Sequence, residues 1–354
     1  MAFQFKNPAE DLWEPDVLGE GFTRRTLPLL DGSTATLVRH RRPSRLPRLA
    51  PPLRGLSILY VHGWSDYFFQ HELARFLSDA GADFYALDLR HYGRNLPLDA
   101  QRDMAAETSP GFTNNLEQYF EEFDAALRII TSAHPGTRVV LLGHSTGGLS
   151  ASLYAAANPH KIEALALNSP WLEFQASELG RTALSKLFQA SSARNPHRFL
   201  PSIDPGFYTR TVSSQFEGEW DYDLAWRPVN GFKITTGFIS AVFDAQAKVK
   251  KGLDLAMPVL VMLSAKDYLL PRWQDAASKS DVALNVQQIA ERSLDLGREL
   301  HLVRLADALH DVFLSAPPVR TRAYLDLGSW LVAIKNRQHD SQLTASVQRV
   351  VPGA

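Results

Sequence analysis

Three short runs in this chain are apolar without alternation: "SILYV" within Leu56–His62, "VVLL" within Arg138–His144 and "ALAL" within Ile162–Pro170. A strand with one wet face alternates apolar and polar residues. A continuous run marks a strand covered on both faces, as in a parallel sheet between helices. The residues that follow them fit helices. "FFQHELARFLSDAG" follows the first run. A further strand, "DFYALDL" (Asp83–Leu89), leads through a loop to Leu116–Ile130, where apolar residues at 116, 119, 120, 123, 126, 127 and 130 form one face at helical spacing. Strand and helix in alternation predict an α/β fold with right-handed crossovers.

Two strands open the chain, "FTRRTLPL" (Phe22–Leu29) and "TATLVRHR" (Thr34–Arg41), joined by the turn signal "DGS". After Pro170 the rhythm fails. From Trp171 to about Phe232 no buried-strand run occurs, and aromatics accumulate: Trp171, Phe174, Phe188, Phe199, Phe207, Tyr208, Phe216, Trp220, Tyr222, Trp226 and Phe232. The rhythm resumes with a helix over Ile234–Lys250, the strand "PVLVMLSAKD" (Pro258–Asp267), further helix, the segment "ELHLVRLADALHD" (Glu299–Asp311), which opens on the last core strand, and a last helix, "RTRAYLDLGSWLVAIKN" (Arg320–Asn336). The expected organisation is a core from 1–170 and 233–336, a mostly helical insertion at 171–232, and a polar tail at 337–354.

Composition narrows the chemistry. The 354 residues contain no cysteine, which excludes disulfides, thiolate catalysis and cysteine-based zinc sites. The formal net charge is −1, so no electrostatic footprint for nucleic acid or anionic membrane appears. The basic run Arg39–Arg48, broken by prolines, reads as a solvated loop. The N-terminus lacks the apolar stretch of a signal peptide, and no uncharged run approaches the roughly 18 residues of a membrane span. The expectation is a cytoplasmic protein with no metal and no cofactor; its oligomeric state is not legible.

Ser145 stands in "GHSTGG", between Gly143 and Gly147. A serine at the apex of a sharp strand-to-helix turn needs neighbours without Cβ atoms, and such a turn lifts its hydroxyl above the sheet edge. A serine hydroxyl needs a base. Among the histidines after Ser145, His160, His197, His301 and His339 fall in a loop, the insertion, a strand and the tail; His310 follows the last core strand. An acid must hold the imidazole. Asp267, ending the strand Pro258–Asp267, is favoured over Asp307, which is close to His310 in sequence; Asp311 is read as a cap or solvated residue. The order Ser, Asp, His suits this geometry. Donors for a developing oxyanion are expected from the backbone N–H of Thr146 and of Trp64, the latter in "YVHGWSD" where Gly63 permits close approach. Trp64, Trp171 and Phe174 are the candidates for lining a substrate pocket.

"YVHGW", "LDLRHYGRN", "LLGHSTGG", "SAKD" and "ALHD" together resemble, in order and spacing, the α/β-hydrolase superfamily. More narrowly, they resemble its monoacylglycerol lipase and lysophospholipase-like branch, the serine-aminopeptidase-like group. Within "DxRGxGxS", Asp88, Arg90, Gly93 and Arg94 fit, His91 and Tyr92 alter the middle, and Asn95 replaces serine. Trp64 departs from the small residue common at its position. The resemblance implies an eight-stranded, mostly parallel sheet and a helical cap. It implies Ser145 as nucleophile, Asp267 as acid, His310 as base, and Trp64 and Thr146 as oxyanion donors. A serine hydrolase of single-acyl esters is expected, acting on a small-molecule ester. An amidase or aminopeptidase of the same fold, in which an acid such as Glu173, Glu178, Glu217 or Glu219 reads a free amine, is the alternative; a catalytically silent binding protein is a third reading.

Overall fold

The computed structural model describes residues 12–42, 51–96, 109–175, 178–201 and 205–350, with the backbone alone at 178–179 and 338–350. The basic run Arg39–Arg48 therefore lies outside the described residues from position 43 onward. The apolar runs become β4 (Leu56–Val61), β6 (Arg138–His144) and β7 (Ala164–Asn168), joined by β5 (Asp83–Asp88), β8 (Val259–Ser264) and β9 (Leu300–Leu305). Every residue of β4, β7 and β8 is buried, as continuous apolar runs require. The opening hairpin is β2 (Phe22–Pro28) and β3 (Thr34–His40).

These strands form one sheet in the order β1-β2-β3-β5-β4-β6-β7-β8-β9, parallel from β5 through β9 and antiparallel at the β1–β3 end. The count is nine, not the expected eight. The addition is β1 (Glu14–Pro15), a two-residue edge strand paired with Arg24 and Thr23. Two residues, one of them proline, carry no periodicity to read.

Helices cover both faces. Alternate strand residues divide between two cores: Leu59 and Val61 face one, Ile58 and Tyr60 the other. The first core receives Phe123, Leu127 and Ile130 of α2 (Phe120–Ala133), Leu149 and Leu153 of α3 (Ser145–Ala157) and Val242 of α6 (Thr236–Lys250). The second receives Leu73 and Leu77 of α1 (His71–Asp79) and Leu327 and Leu331 of α8 (Pro317–Val350). α8 continues past Asn336, where the sequence suggests a tail, because no glycine or proline occurs between Asn336 and Pro352. Among the described residues, no helix is long and apolar enough to cross a membrane.

Between β7 and β8 the chain forms α4 (Glu178–Arg194), α5 (Phe207–Val212) and α6. Its aromatics divide. Trp220 and Tyr222 pack with Tyr67, Phe69, Leu309 and Leu314 in a third core, and the Trp220 indole donates to the Leu314 carbonyl at 2.9 Å. Phe174, Phe188, Tyr208 and Phe232 border a cavity. α7 (Val286–Ser293) lies between β8 and β9.

The order reverses about β4: β5 lies to one side and β6 to the other. The carboxyl ends of strands at such a switch leave a crevice. The loop leaving β4 there is fixed by a buried ion cluster. Arg94 bonds Asp88 (2.7 Å), Asp16 (2.7 Å) and the Phe68 carbonyl (3.0 Å), all three charged side chains being essentially inaccessible. Asp88 also accepts from the Phe68 amide (2.9 Å), and Asn95 donates to the carbonyls of Asp88 and Leu89, closing the loop in place of serine. Removing one partner of a buried cluster strands the opposite charges. Arg94→Met is expected to lower the unfolding free energy by roughly 3–5 kcal/mol in denaturant titration; a loss below about 1 kcal/mol would contradict this.

Candidate active site

β6 ends at His144 and α3 starts at Ser145, which has φ +51°, a left-handed conformation rare for a residue with a side chain. The neighbours leave no room for Cβ atoms. One on Gly143 would stand 2.6 Å from the Gly148 Cα, and one on Gly147 would stand 2.1 Å from the His62 carbonyl oxygen. One on Gly63 would stand 2.9 Å from the Ser145 Cβ. The glycines thus let β4's loop, the turn and the helix start converge on the serine. Trp64 follows Gly63 in that loop, and Thr146 lies in the first helical turn, where backbone N–H groups have no intrahelical acceptor.

His310 is buried in the segment after β9. Its Nδ1 donates to the Asp281 Oδ2 at 2.8 Å. A carboxylate only accepts, so Nδ1 carries a proton, and in the neutral imidazole Nε2 then presents the lone pair. Asp281 is itself held: its Oδ1 accepts from the amides of Ala283 and Leu284, both at 2.8 Å. This corrects the expected acid. Asp267 is half-buried and accepts from the Val286 amide at 3.0 Å, at the start of α7, and burial raises its carboxyl above the usual range. Asp307 is exposed in a left-handed turn. The reason is backbone pairing beyond the strand. The Asp281 amide donates to the Lys266 carbonyl (2.9 Å) and the Tyr268 amide to the Asp281 carbonyl (2.7 Å). That pairing carries Asp281 alongside Asp267, and Asp281 takes the place at the imidazole. Asp281 lies in a loop with no strand pattern; its one sequence signal is an acid directly before the apolar trio Val282–Leu284 and the helix-capping Asn285.

Asp311 does cap, accepting from the Phe313 amide at 3.0 Å, but it is fully buried rather than solvated. Asn168 carries no signal in the sequence beyond ending an apolar run; its side chain joins Asp311 at 2.6 Å.

Ser145 and His310 border one cavity of about 360 Å³, within the range of small-molecule sites. Trp64, Trp171 and Phe174 also border it. Trp64 lies against Phe238, ring centres 3.6 Å apart, and the Trp171 amide donates to the Ser145 carbonyl at 3.0 Å. Phe188, Leu200, Ile239 and Leu284 give the cavity an apolar wall; Tyr208, Arg227 and Asn230 give it a polar one. Tyr208 hydrogen-bonds the His144 Nε2 at 3.0 Å, and burial lowers the pKa of His144. Arg227 is 2% exposed, lies 3.1 Å from the Asp66 carboxylate, and stacks 4.4 Å from the Tyr208 ring. Burial raises the Asp66 carboxyl despite this partner.

A hydroxyl on a strained turn, an imidazole fixed by a carboxylate and free amides at a helix start are the parts of an acyl-transfer site. Asp281→Asn is expected to lower kcat by roughly 10³–10⁴-fold by releasing the imidazole tautomer, whereas Asp267→Asn should stay within about threefold of wild type. Steady-state kinetics that reversed the two effects would restore Asp267 as the acid.

A family model described as serine aminopeptidase, S33, matches residues 55–291. The chain is 24% identical over 286 residues to the monoacylglycerol lipase of Mycolicibacterium smegmatis, covering 79% of this chain and 89% of the relative. Its fold is similar to a soluble variant of monoglyceride lipase from Saccharomyces cerevisiae, solved with a substrate analog (TM-score 0.62, 18% identity, 88% of this chain and 94% of that one). It is also similar to the monoacylglycerol lipase of Paleococcus ferrophilus (TM-score 0.57, 19% identity, 78% and 94%).

Proposed function

We propose that this chain, which belongs to the serine aminopeptidase, S33 family of α/β-hydrolases, hydrolyses carboxylic esters of a single acyl chain through an acyl-enzyme on Ser145. In this reading the Ser145 Oγ attacks the ester carbonyl while the His310 Nε2 takes its proton. Asp281 holds the imidazole and offsets its positive charge. The N–H groups of Trp64 and Thr146 receive the negative charge that develops on the carbonyl oxygen. His310 then gives its proton to the departing alcohol, and a water activated by the same nitrogen releases the acid.

The observation that carries the ester reading is the lining of the cavity. Among the described residues that border it there is no carboxylate, and its one formal cation is Arg227. An amine-reading site needs an acid facing the substrate. Glu173 is bound by Arg292 (2.6 Å) and Arg181 (3.1 Å), Glu219 by Arg320 (2.7 Å), and Glu217 pairs with Arg210; the Glu178 side chain lies outside the described residues. The apolar wall of Trp171, Phe174, Phe188, Leu200, Ile239 and Leu284 suits an acyl chain, and the segment 171–232 serves as the cap that supplies part of it. The relatives named as monoacylglycerol lipases support this substrate class for the chain.

A panel of p-nitrophenyl esters of rising chain length, set beside amino-acid anilides, tests the reading. Ester turnover is expected, abolished by Ser145→Ala. Preferred turnover of anilides would overturn the ester assignment, and absence of any Ser145-dependent turnover would favour the silent binding protein.

A further inference from the structure

Nucleophile and base sit on segments that approach each other only in the folded chain, and one residue of β7 touches both. Asn168 lies opposite His144 in the β6–β7 pairing. Its carbonyl accepts from the His144 Nδ1 at 3.2 Å, one residue before Ser145. Its side-chain amide donates to the Asp311 Oδ1 at 2.6 Å, one residue after His310, and its side-chain oxygen accepts from the Val312 amide at 3.1 Å. Asp311 completes the arrangement. Its Oδ1 also accepts from the Phe313 amide, and its Oδ2 accepts from the Gln70 Nε2 at 3.0 Å. Gln70 is fixed in turn, because its Oε1 accepts from the Phe69 amide at 3.0 Å. Asn168, Asp311 and Gln70 are all fully buried, and every donor to the Asp311 carboxylate named here is neutral.

We infer that Asn168 and Asp311 are positioning residues: a buried clamp that sets the distance of the His310 imidazole from the Ser145 hydroxyl, with Gln70 bracing it from the loop after β4. The inference rests on the acyl-enzyme reading above. An ionised carboxylate costs free energy to bury, and a neutral turn cap does not need one. A carboxylate is needed here because three donors converge on it from β7, from the loop before α1 and from its own turn. An asparagine at 311 can offer one oxygen to Asn168 and Phe313. Its amide nitrogen then meets the Gln70 nitrogen, donor against donor. Gln70 cannot turn over without setting its own donor against the Phe69 amide.

Exchanging donor and acceptor tests this. In Asp311→Asn, kcat for a p-nitrophenyl ester is expected to fall about 100-fold at nearly constant KM, since small misplacements of reacting groups cost about that much. Adding Gln70→Glu supplies an acceptor for the new amide, and the double variant is expected to recover to within about fivefold of wild type. Gln70→Glu alone sets two carboxylates together and should be slow. A single Asp311→Asn variant within about threefold of wild type, or a double variant as slow as the single, would overturn the clamp. Should Asp311→Asn not fold, Gln70→Leu removes one donor only; kcat should drop about fivefold, and an unchanged kcat overturns the inference. Wild-type turnover that Ser145→Ala abolishes is the baseline. Without it the acyl-enzyme reading fails and the clamp goes with it; with it, the variants judge the clamp alone.

Discussion

Everything at the candidate site depends on a bend that only close backbone packing can hold. Ser145 adopts φ +51° at the end of β6, a conformation that costs on the order of 1–3 kcal/mol for a residue with a side chain. It persists because β4's loop, the bend and the first turn of α3 pack at distances that exclude Cβ atoms at positions 63, 143 and 147. The sheet makes this affordable in place: β4 and β6 are neighbours at the reversal of strand order, buried on both faces, and cannot shift. Strain at the serine is thus balanced by packing a few ångströms beneath it.

Asp281 and part of the cavity wall belong to one turn. Asp281 accepts from the amides of Ala283 and Leu284, and Val282, Ala283 and Leu284 border the cavity. Gln175, which also borders it, donates to the Ala283 carbonyl. The group that orients His310 therefore shares its support with the surface proposed to receive the acyl chain. The polar side is organised differently, around the buried pair of Arg227 and Asp66 and the Tyr208 hydroxyl against His144.

What the sequence reveals follows from locality. Runs buried on both faces have no choice of environment, so β4, β6, β7 and β8 appear within a residue or two of the apolar stretches. Ser145 and His310 fall at strand ends in the sequence, and both border the cavity. Asp281 does not announce itself, because its position is created by hydrogen bonds between residues 266–268 and 281, contacts with no period. Asp267 attracts attention because it ends a strand, yet its carboxylate caps α7. The same limit hides Arg227, whose partner Asp66 is far away in the chain, and Asn168, which reads as the end of a strand and joins two segments on either side of the site. The aromatic insertion is visible in the sequence as a break in rhythm, but which of its rings pack into a core and which border the cavity is a property of tertiary structure alone.

The proposed mechanism passes through a covalent acyl intermediate on Ser145. Acid quenching within the first turnover of a p-nitrophenyl ester, followed by mass analysis of tryptic peptides, tests it most directly. One added acyl group is expected on the peptide Val139–Lys161, which carries Ser145, and none in Ser145→Ala. An acyl group on another peptide, or turnover with no trapped adduct, would contradict it.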